Sequence, residues 1–290
     1  MKVLIFGKSG QLGRELTRVF SARGHDVSAF DRSEADVSNF ARVEELAEAA
    51  RPDLVLNATA YNMVDIAEKE PEAAYAANAL AVRNLALACR KVEARLVHYS
   101  TDYVFDGTLG RPYVEEDATH PLGAYAVSKL AGEIYAQAYL DLPLILRTSG
   151  VFGPGGLHTP RGNFVEVMLR LAKSGQPIRV VEDYVASPTY APDLASRTAD
   201  MVDQELSGVF HVGGGEAISW FEYAKLIFQV AGLTPELLAT NEQEHRTAAR
   251  RPKFSALSNA RMESHGIAPM PPLRLAIQDY MERREEERSR

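Results

Sequence analysis

Short apolar runs alternate with longer amphipathic stretches through the first half of the chain. Residues 3–6, 26–30, 54–57, 95–99 and 144–146 are rich in Val, Ile and Leu and bounded by Gly, Pro, Asp or Ser, which predicts strands. Between them, residues 12–23, 43–50, 73–92 and 126–140 space their apolar positions as helices do. Such alternation predicts an α/β fold, a doubly wound parallel sheet with helices on both faces. After about Arg147 the pattern changes, and Gly150, Gly153, Pro154, Gly155, Gly156, Pro160 and Gly162 crowd together. Further on, helices are expected at 164–174 and 220–231, and short strands at 178–181 and 209–212. The expected organisation is a dinucleotide-binding core over residues 1–147 and a smaller C-terminal α/β substrate region over residues 148–290. That region is built from excursions that return to the core.

Composition narrows the classes. The chain has 290 residues, 46% of them apolar, as a soluble globular protein has. Its 32 basic and 39 acidic residues give a net charge of −7. That argues against a nucleic-acid or membrane surface and leaves room for an anionic small ligand. Cys89 is the only cysteine, so no disulfide forms within the chain, and its helical setting reads as a small buried hydrophobe. No run reaches the ~18 apolar residues of a membrane helix. The opening apolar run is too short for a secretory signal, so a cytoplasmic location is expected. Residues 281–290 form a charge run, read as a solvated helix end or frayed tail.

The first strand runs directly into Gly7-Lys8-Ser9-Gly10-Gln11-Leu12-Gly13, and an amphipathic helix follows. This is the start of a Rossmann-type dinucleotide site. Glycines permit the tight turn, and backbone N–H groups at the helix N-terminus meet the pyrophosphate. Asp31 ends the second strand, where an acid holds ribose hydroxyls and favours NAD. Arg32 beside it, with Lys8, suits a 2′-phosphate. Together they predict dual use of NADH and NADPH, or a preference for NADPH. Asp36 and Val37 are expected near the adenine. Asn57, Ala58, Thr59 and Ala60 end the third strand, at the carboxyl edge where ligands collect.

Tyr125 and Lys129 are four residues apart at the start of a predicted helix and share a face. A phenol with a pKa of ~10 is a poor acid–base catalyst near neutrality. An adjacent ammonium stabilises the phenolate, which is expected to lower that pKa, and it also suits a nicotinamide ribose. Tyr125 then protonates a carbonyl oxygen as hydride reaches the carbon. A hydroxyl from Ser100 or Thr101 shares that oxygen. Adjacent strand residues point to opposite faces, so one of the two reaches the substrate, and spacing does not choose between them. Asp102 either caps the following turn or touches substrate.

These residues resemble the extended short-chain dehydrogenase/reductases, and more narrowly the dTDP-4-dehydrorhamnose reductases. The likeness runs along nearly the whole chain. It is most discriminating at Ser100-Thr101-Asp102-Tyr103-Val104-Phe105-Asp106-Gly107, where related dehydratases carry an acid in place of Tyr103. The resemblance implies that Thr101 is the catalytic hydroxyl, with Asp102 at the substrate and Tyr125 and Lys129 in the roles above. It extends the cofactor site to Tyr61 and Asn78. It carries substrate contacts to Thr101, Asp102, Val104, Gly150, Asn163, Tyr184 and Arg251. It implies a nucleotide-sugar substrate, reduction of a 4-keto group by NADPH or NADH, and a homodimer. Two positions depart from the pattern. Gly150 stands where the family has a tryptophan that stacks on the sugar, and Asp183-Tyr184-Val185-Ala186 replaces an Asp-Gln-x-Gly segment, with Tyr184 as a substitute aromatic surface.

Some members bind magnesium through acidic side chains, but no such cluster is recognisable here and no metal is predicted. Two alternatives remain: an epimerase or dehydratase that retains its NAD, and a cofactor-binding regulatory subunit without catalysis. His98 is expected to be a satisfied sheet histidine and His211 structural. Trp220 is expected in the core, and Arg250-Arg251 as either a pyrophosphate clamp or a solvated loop.

Overall fold

The computed structural model describes residues 1–159, 162–244 and 246–288. In chain order, β1 (Lys2–Phe6) leads through the glycine loop into α1 (Gln11–Ala22), followed by β2 (Asp26–Phe30), α2 (Phe40–Ala50) and β3 (Leu54–Asn57). Two short helices, α3 (Val64–Ala67) and α4 (Pro71–Tyr75), continue through a π-helical turn (Ala76–Leu80) into α5 (Ala81–Val92). Next come β4 (Arg95–Thr101), α6 (Ala124–Tyr139), β5 (Leu144–Thr148), α7 (Phe164–Ala172), β6 (Ile178–Val181) and β7 (Val185–Ala186). The chain ends with α8 (Ala191–Asp203), β8 (Gly208–His211), β9 (Ile218–Ser219), α9 (Trp220–Ala231), β10 (Leu237–Thr240), α10 (Ala260–Ser264) and α11 (Leu273–Arg288). No helix among the described residues is long and apolar enough to cross a membrane.

The main sheet has the order β2-β1-β3-β4-β5-β8, and every neighbouring pair is parallel. Its strands read as unbroken apolar runs because both faces are covered. Val3, Ile5, Leu56 and Val97 pack with Leu16 and Phe20 of α1 and Leu194 and Ala199 of α8. Leu4, Phe6, Val55 and Leu96 pack with Val43 of α2 and Leu85 of α5 on the other side. The expected Rossmann-type doubly wound fold is therefore present. From β1 the chain turns one way to β2 and the other way to β3, so a crevice opens between them at the carboxyl ends.

Several elements differ from expectation. β4 continues to Thr101, so both candidate hydroxyls lie in the strand itself. The single helix expected at 73–92 is interrupted by the π-helical turn that carries Asn78. Helix α8 was not anticipated; its buried side includes Ala191, Ala195, Thr198 and Ala199, whose small or polar side chains give little hydrophobic contrast. After β5, α8 and β8 belong to the main sheet and its cover. α10 also joins the main core through Met262, while α7, β6, α9 and α11 build a second core around Phe152, Val165, Tyr223, Ile227, Ile277 and Tyr280. Cys89 is buried as expected, and burial pushes its thiol up to about 12.

The charge run is not a solvated tail over its described part. Arg284 is 8% exposed and pairs with Glu166 of α7, and Arg283 reaches Glu15 of α1 at 3.3 Å. Pro160 and the last two residues of the run, Ser289 and Arg290, lie outside the described residues. Tyr280 anchors α11: its ring is fully buried and its hydroxyl donates to Glu166 Oε1 at 2.7 Å. Tyr280→Ala removes that buried ring and leaves the carboxylate short of a donor. It is expected to destabilise the protein by about 3 kcal/mol. Urea unfolding checks this, and a loss below about 1 kcal/mol would show that α11 is not anchored there.

Candidate active site

The glycine loop is shaped by close backbone approach. Gly7 has φ +93°, and a Cβ there would lie 2.8 Å from the Ala58 carbonyl oxygen. A Cβ on Gly13 would lie 2.0 Å from the Gly7 carbonyl oxygen. Gly10 N-caps α1, and no side chain caps the helix. Its first-turn N–H groups are thus left for an anion at a helix N-terminus. The loop therefore fits a dinucleotide pyrophosphate. Gln11 takes another role: its Oε1 accepts from Gly153 N at 3.0 Å and Asn163 Nδ2 at 2.9 Å.

The residues expected to choose the cofactor lie together at the end of β2. Asp31 accepts from the Ser33 hydroxyl and from the Ser33 and Glu34 N–H groups, which hold its carboxyl below the usual range. Lys8 pairs with Glu34 at 2.7 Å. Arg32 is 88% exposed beside Asp36 at 3.2 Å. Val37 is buried in the core with Ala35 and Val43, so its side chain is occupied by packing. Asn57 is also buried; its Oδ1 accepts from Thr59 and its Nδ2 donates to His98 Nδ1 at 3.1 Å. His98 Nε2 has no partner, so this histidine is satisfied on one side only. Asn78 brackets the Tyr61 backbone, accepting from its N–H at 2.8 Å and donating to its carbonyl at 2.9 Å.

A cleft of about 400 Å³ runs from Gly10, Gln11 and Leu12 past Ala58, Thr59 and Ala60 to Thr101, Tyr125, Lys129, Gly150 and Trp220. It joins the glycine loop to the expected reaction centre. The C-terminal end of β4 and the start of α6 carry the residues expected to react. Ser100 and Thr101 separate as strand alternation requires. The Ser100 hydroxyl donates to buried Glu133, whereas Thr101 hydrogen-bonds with Tyr125 and donates to Asp102 at 3.1 Å. The free choice left by spacing thus falls on Thr101 as the hydroxyl beside the phenol.

Against the expected lowering by Lys129, burial pushes the Tyr125 hydroxyl up to about 12, partly offset by the Thr101 hydrogen bond. Burial pulls Lys129 down to about 8, opposed by the Glu133 carboxylate one turn along α6. Lys129 is 2% exposed and donates to the Tyr99 carbonyl. Burial raises Asp102 to about 6, against hydrogen bonds from Ser255, Ser149 and Thr101. His211 is neutral, pulled down to about 3 by burial and by Arg147; its Nδ1 donates to the Tyr113 carbonyl at 3.0 Å, a structural role.

Other expected substrate residues scatter. Val104 is fully buried in a small core with Phe105 and Tyr113. Asn163 caps α7 and binds Gln11. Tyr184 is 7% exposed and does not line the cleft; its hydroxyl engages Glu242. Arg251 forms a 2.7 Å pair with Asp65 and also contacts Tyr103, whose ring meets Tyr125 edge-on at 6.1 Å.

Sequence reasoning assigned no role to Glu133, Ser149 or Ser255, and placed Trp220 in the core. Glu133 had one available signal, its position four residues after Lys129 on the same helix face. Ser149 and Ser255 reach Asp102 only through long-range folding, which no spacing reveals. Trp220 is half-buried and lines the cleft.

The comparisons bear on this geometry. The model of the family described as "RmlD substrate binding domain" matches residues 1–286. The chain is 36% identical to the spore coat polysaccharide biosynthesis protein SpsK of Bacillus subtilis (strain 168), over 98% of each chain. It is 37% identical to the dTDP-4-dehydrorhamnose reductase of Escherichia coli (strain K12), over 96% of each. The crystal structure of dTDP-4-dehydrorhamnose reductase from Bacillus anthracis str. Ames in complex with NADP matches with a TM-score of 0.91 and 35% identity, covering 97% of this chain and 98% of that one. The resemblance expected from the motifs is borne out, and the chain belongs to the RmlD substrate-binding family.

Proposed function

We propose that this chain reduces the 4-keto group of a dTDP-linked 6-deoxy-hexose, converting dTDP-4-dehydro-L-rhamnose to dTDP-L-rhamnose with NADPH or NADH. The observation that carries the reading is a single cleft joining an uncapped helix N-terminus to Thr101, Tyr125 and Lys129. Family membership and reductase relatives along nearly the whole chain support it. The reading includes residues 1–147 as mainly the cofactor core, residues 148–290 as mainly the substrate region, and a cytoplasmic setting.

The bound dinucleotide supplies the hydride. The Gly7–Gly13 turn and the N-terminus of α1 would hold its pyrophosphate, with Asp31, Arg32 and Lys8 at the adenosine end. The Tyr125 phenol stays protonated near neutrality and can give its proton to the developing alkoxide. Thr101 supports that oxygen from the other side. Lys129, still largely charged at pH 7, stabilises the phenolate left behind. Asp102, held by Ser149 and Ser255, orients Thr101.

The direct test is oxidation of NADPH, and separately NADH, with dTDP-4-dehydro-L-rhamnose. Turnover is expected with at least one cofactor; bound cofactor without turnover would turn the reading toward the regulatory alternative. Tyr125→Phe should lower kcat by ~10²-fold or more while cofactor affinity holds. Unchanged turnover in that variant would remove Tyr125 as the proton donor.

A pH profile gives an independent check. Lys129 loses its charge as pH rises through about 8, so kcat/KM should fall on that basic limb. A flat profile from pH 7 to about 10 would contradict the role given to the ammonium.

A further inference from the structure

Trp220 is the only tryptophan in the chain. It starts α9, whose next core-facing residues, Tyr223, Ala224 and Ile227, are fully buried. Trp220 sits where that apolar stripe runs out into the cleft, and it is half-buried. The indole is firmly backed. Phe164 packs edge-on against it at 4.7 Å, and Tyr223 lies at 6.0 Å. The backbone is fixed as well: Trp220 N donates to the Tyr184 carbonyl at 3.1 Å, and Ser219 Oγ caps the helix by accepting from Glu222 N at 3.1 Å.

The opposite neighbour is a glycine. Gly150 has φ +49°, and a Cβ there would lie 3.3 Å from Trp220 Cη2 and 3.5 Å from Pro188 Cα. A larger side chain at 150 would need both a strained backbone and a displaced indole. Glycine at this position therefore leaves the ring edge room beside the reacting groups. Thr101, Asp102 and Ser149 place polar groups in the same cleft, with Val151 beside them. A hexose presents the reverse pairing, with hydroxyls around its rim and C–H groups on its faces. A 6-deoxy sugar adds a methyl group.

We infer that Trp220, in the space left by Gly150, is the apolar platform for the sugar ring and fixes which face of the 4-keto carbon meets the hydride. The inference rests on the reductase reading. A rigid aromatic surface orients a ring at little cost in side-chain freedom. Removing it should weaken sugar binding and misplace the carbonyl relative to Tyr125.

The single tryptophan makes the test direct. Protein saturated with NADP is titrated with dTDP and, separately, with dTDP-L-rhamnose while the tryptophan emission is followed. The sugar nucleotide is expected to change the emission well beyond the change caused by dTDP. Trp220→Ala is expected to raise KM for the keto-sugar about tenfold with NADPH affinity unchanged, and Trp220→Phe to restore KM to within about threefold. Equal emission changes with dTDP and dTDP-L-rhamnose, alongside normal wild-type turnover, would overturn the inference alone. Wild-type protein that binds cofactor but never oxidises it would overturn the reductase reading, and this inference with it.

Discussion

A lysine that is 2% exposed is the constraint around which this site is built. Burying an ammonium costs several kcal/mol unless partners replace its water. Lys129 receives a main-chain carbonyl from β4 and the field of Glu133. Glu133 is itself buried and takes three bonds from Arg147 of β5, at 2.8, 3.0 and 3.2 Å, and one from Ser100 of β4. Arg147 in turn meets His211 of β8 at 3.5 Å and lies over the Phe105 ring at 5.2 Å. One functional charge thus obliges three adjacent strands and α6 to keep a fixed register. The paired residues have no use for solvent, and loss of any one strands another in the core.

Asp102 poses the same problem with the opposite sign, and its solution joins the two halves of the molecule. Its Oδ2 accepts from Ser149, just beyond β5, and from Ser255, far along the chain, at 2.8 and 2.5 Å. The segment bearing Ser255 is fastened nearby by backbone bonds, Val185 to Lys253 at 2.7 Å and Ser255 to Val185 at 2.8 Å. The carboxylate therefore helps set where the C-terminal region sits over the cleft. Because those donors favour ionisation and burial opposes it, Asp102 ends near 6 rather than far from neutrality.

The sheet and the Tyr125–Lys129 pair were legible because they depend on local pattern. Buried parallel strands have a continuous apolar signature, and Tyr125 and Lys129 share a helix face by spacing alone. Asp31, Lys8 and Arg32 could likewise be located from their distance to the glycine loop. What was not legible depends on contacts between distant segments. Helix α8 hides among small residues. Val104 and Asn163 lie in matching stretches and Tyr184 in a departure from the pattern, yet all three spend their side chains on packing, capping or pairing away from the cleft. Trp220 belongs to an apolar stripe, and only the fold reveals that the stripe ends at an opening beside Gly150.

The seam between the two cores is polar, and Arg283 and Arg284 of α11 belong to it. Gln11 of the glycine loop accepts from Gly153 and Asn163; Asn163 also meets the Tyr280 hydroxyl at 3.3 Å, and Tyr280 donates to Glu166 beside Arg284. A hydrogen-bonded path thus runs from the turn that would hold the pyrophosphate to α11. Apolar packing alone tolerates small slips between two bodies, whereas directional bonds fix distance and orientation together. Hydride transfer to a carbonyl needs such precision between cofactor and substrate. Arg283 and Arg284, read from sequence as part of a solvated charge run, therefore belong to the framework that holds the two sides of the cleft in place.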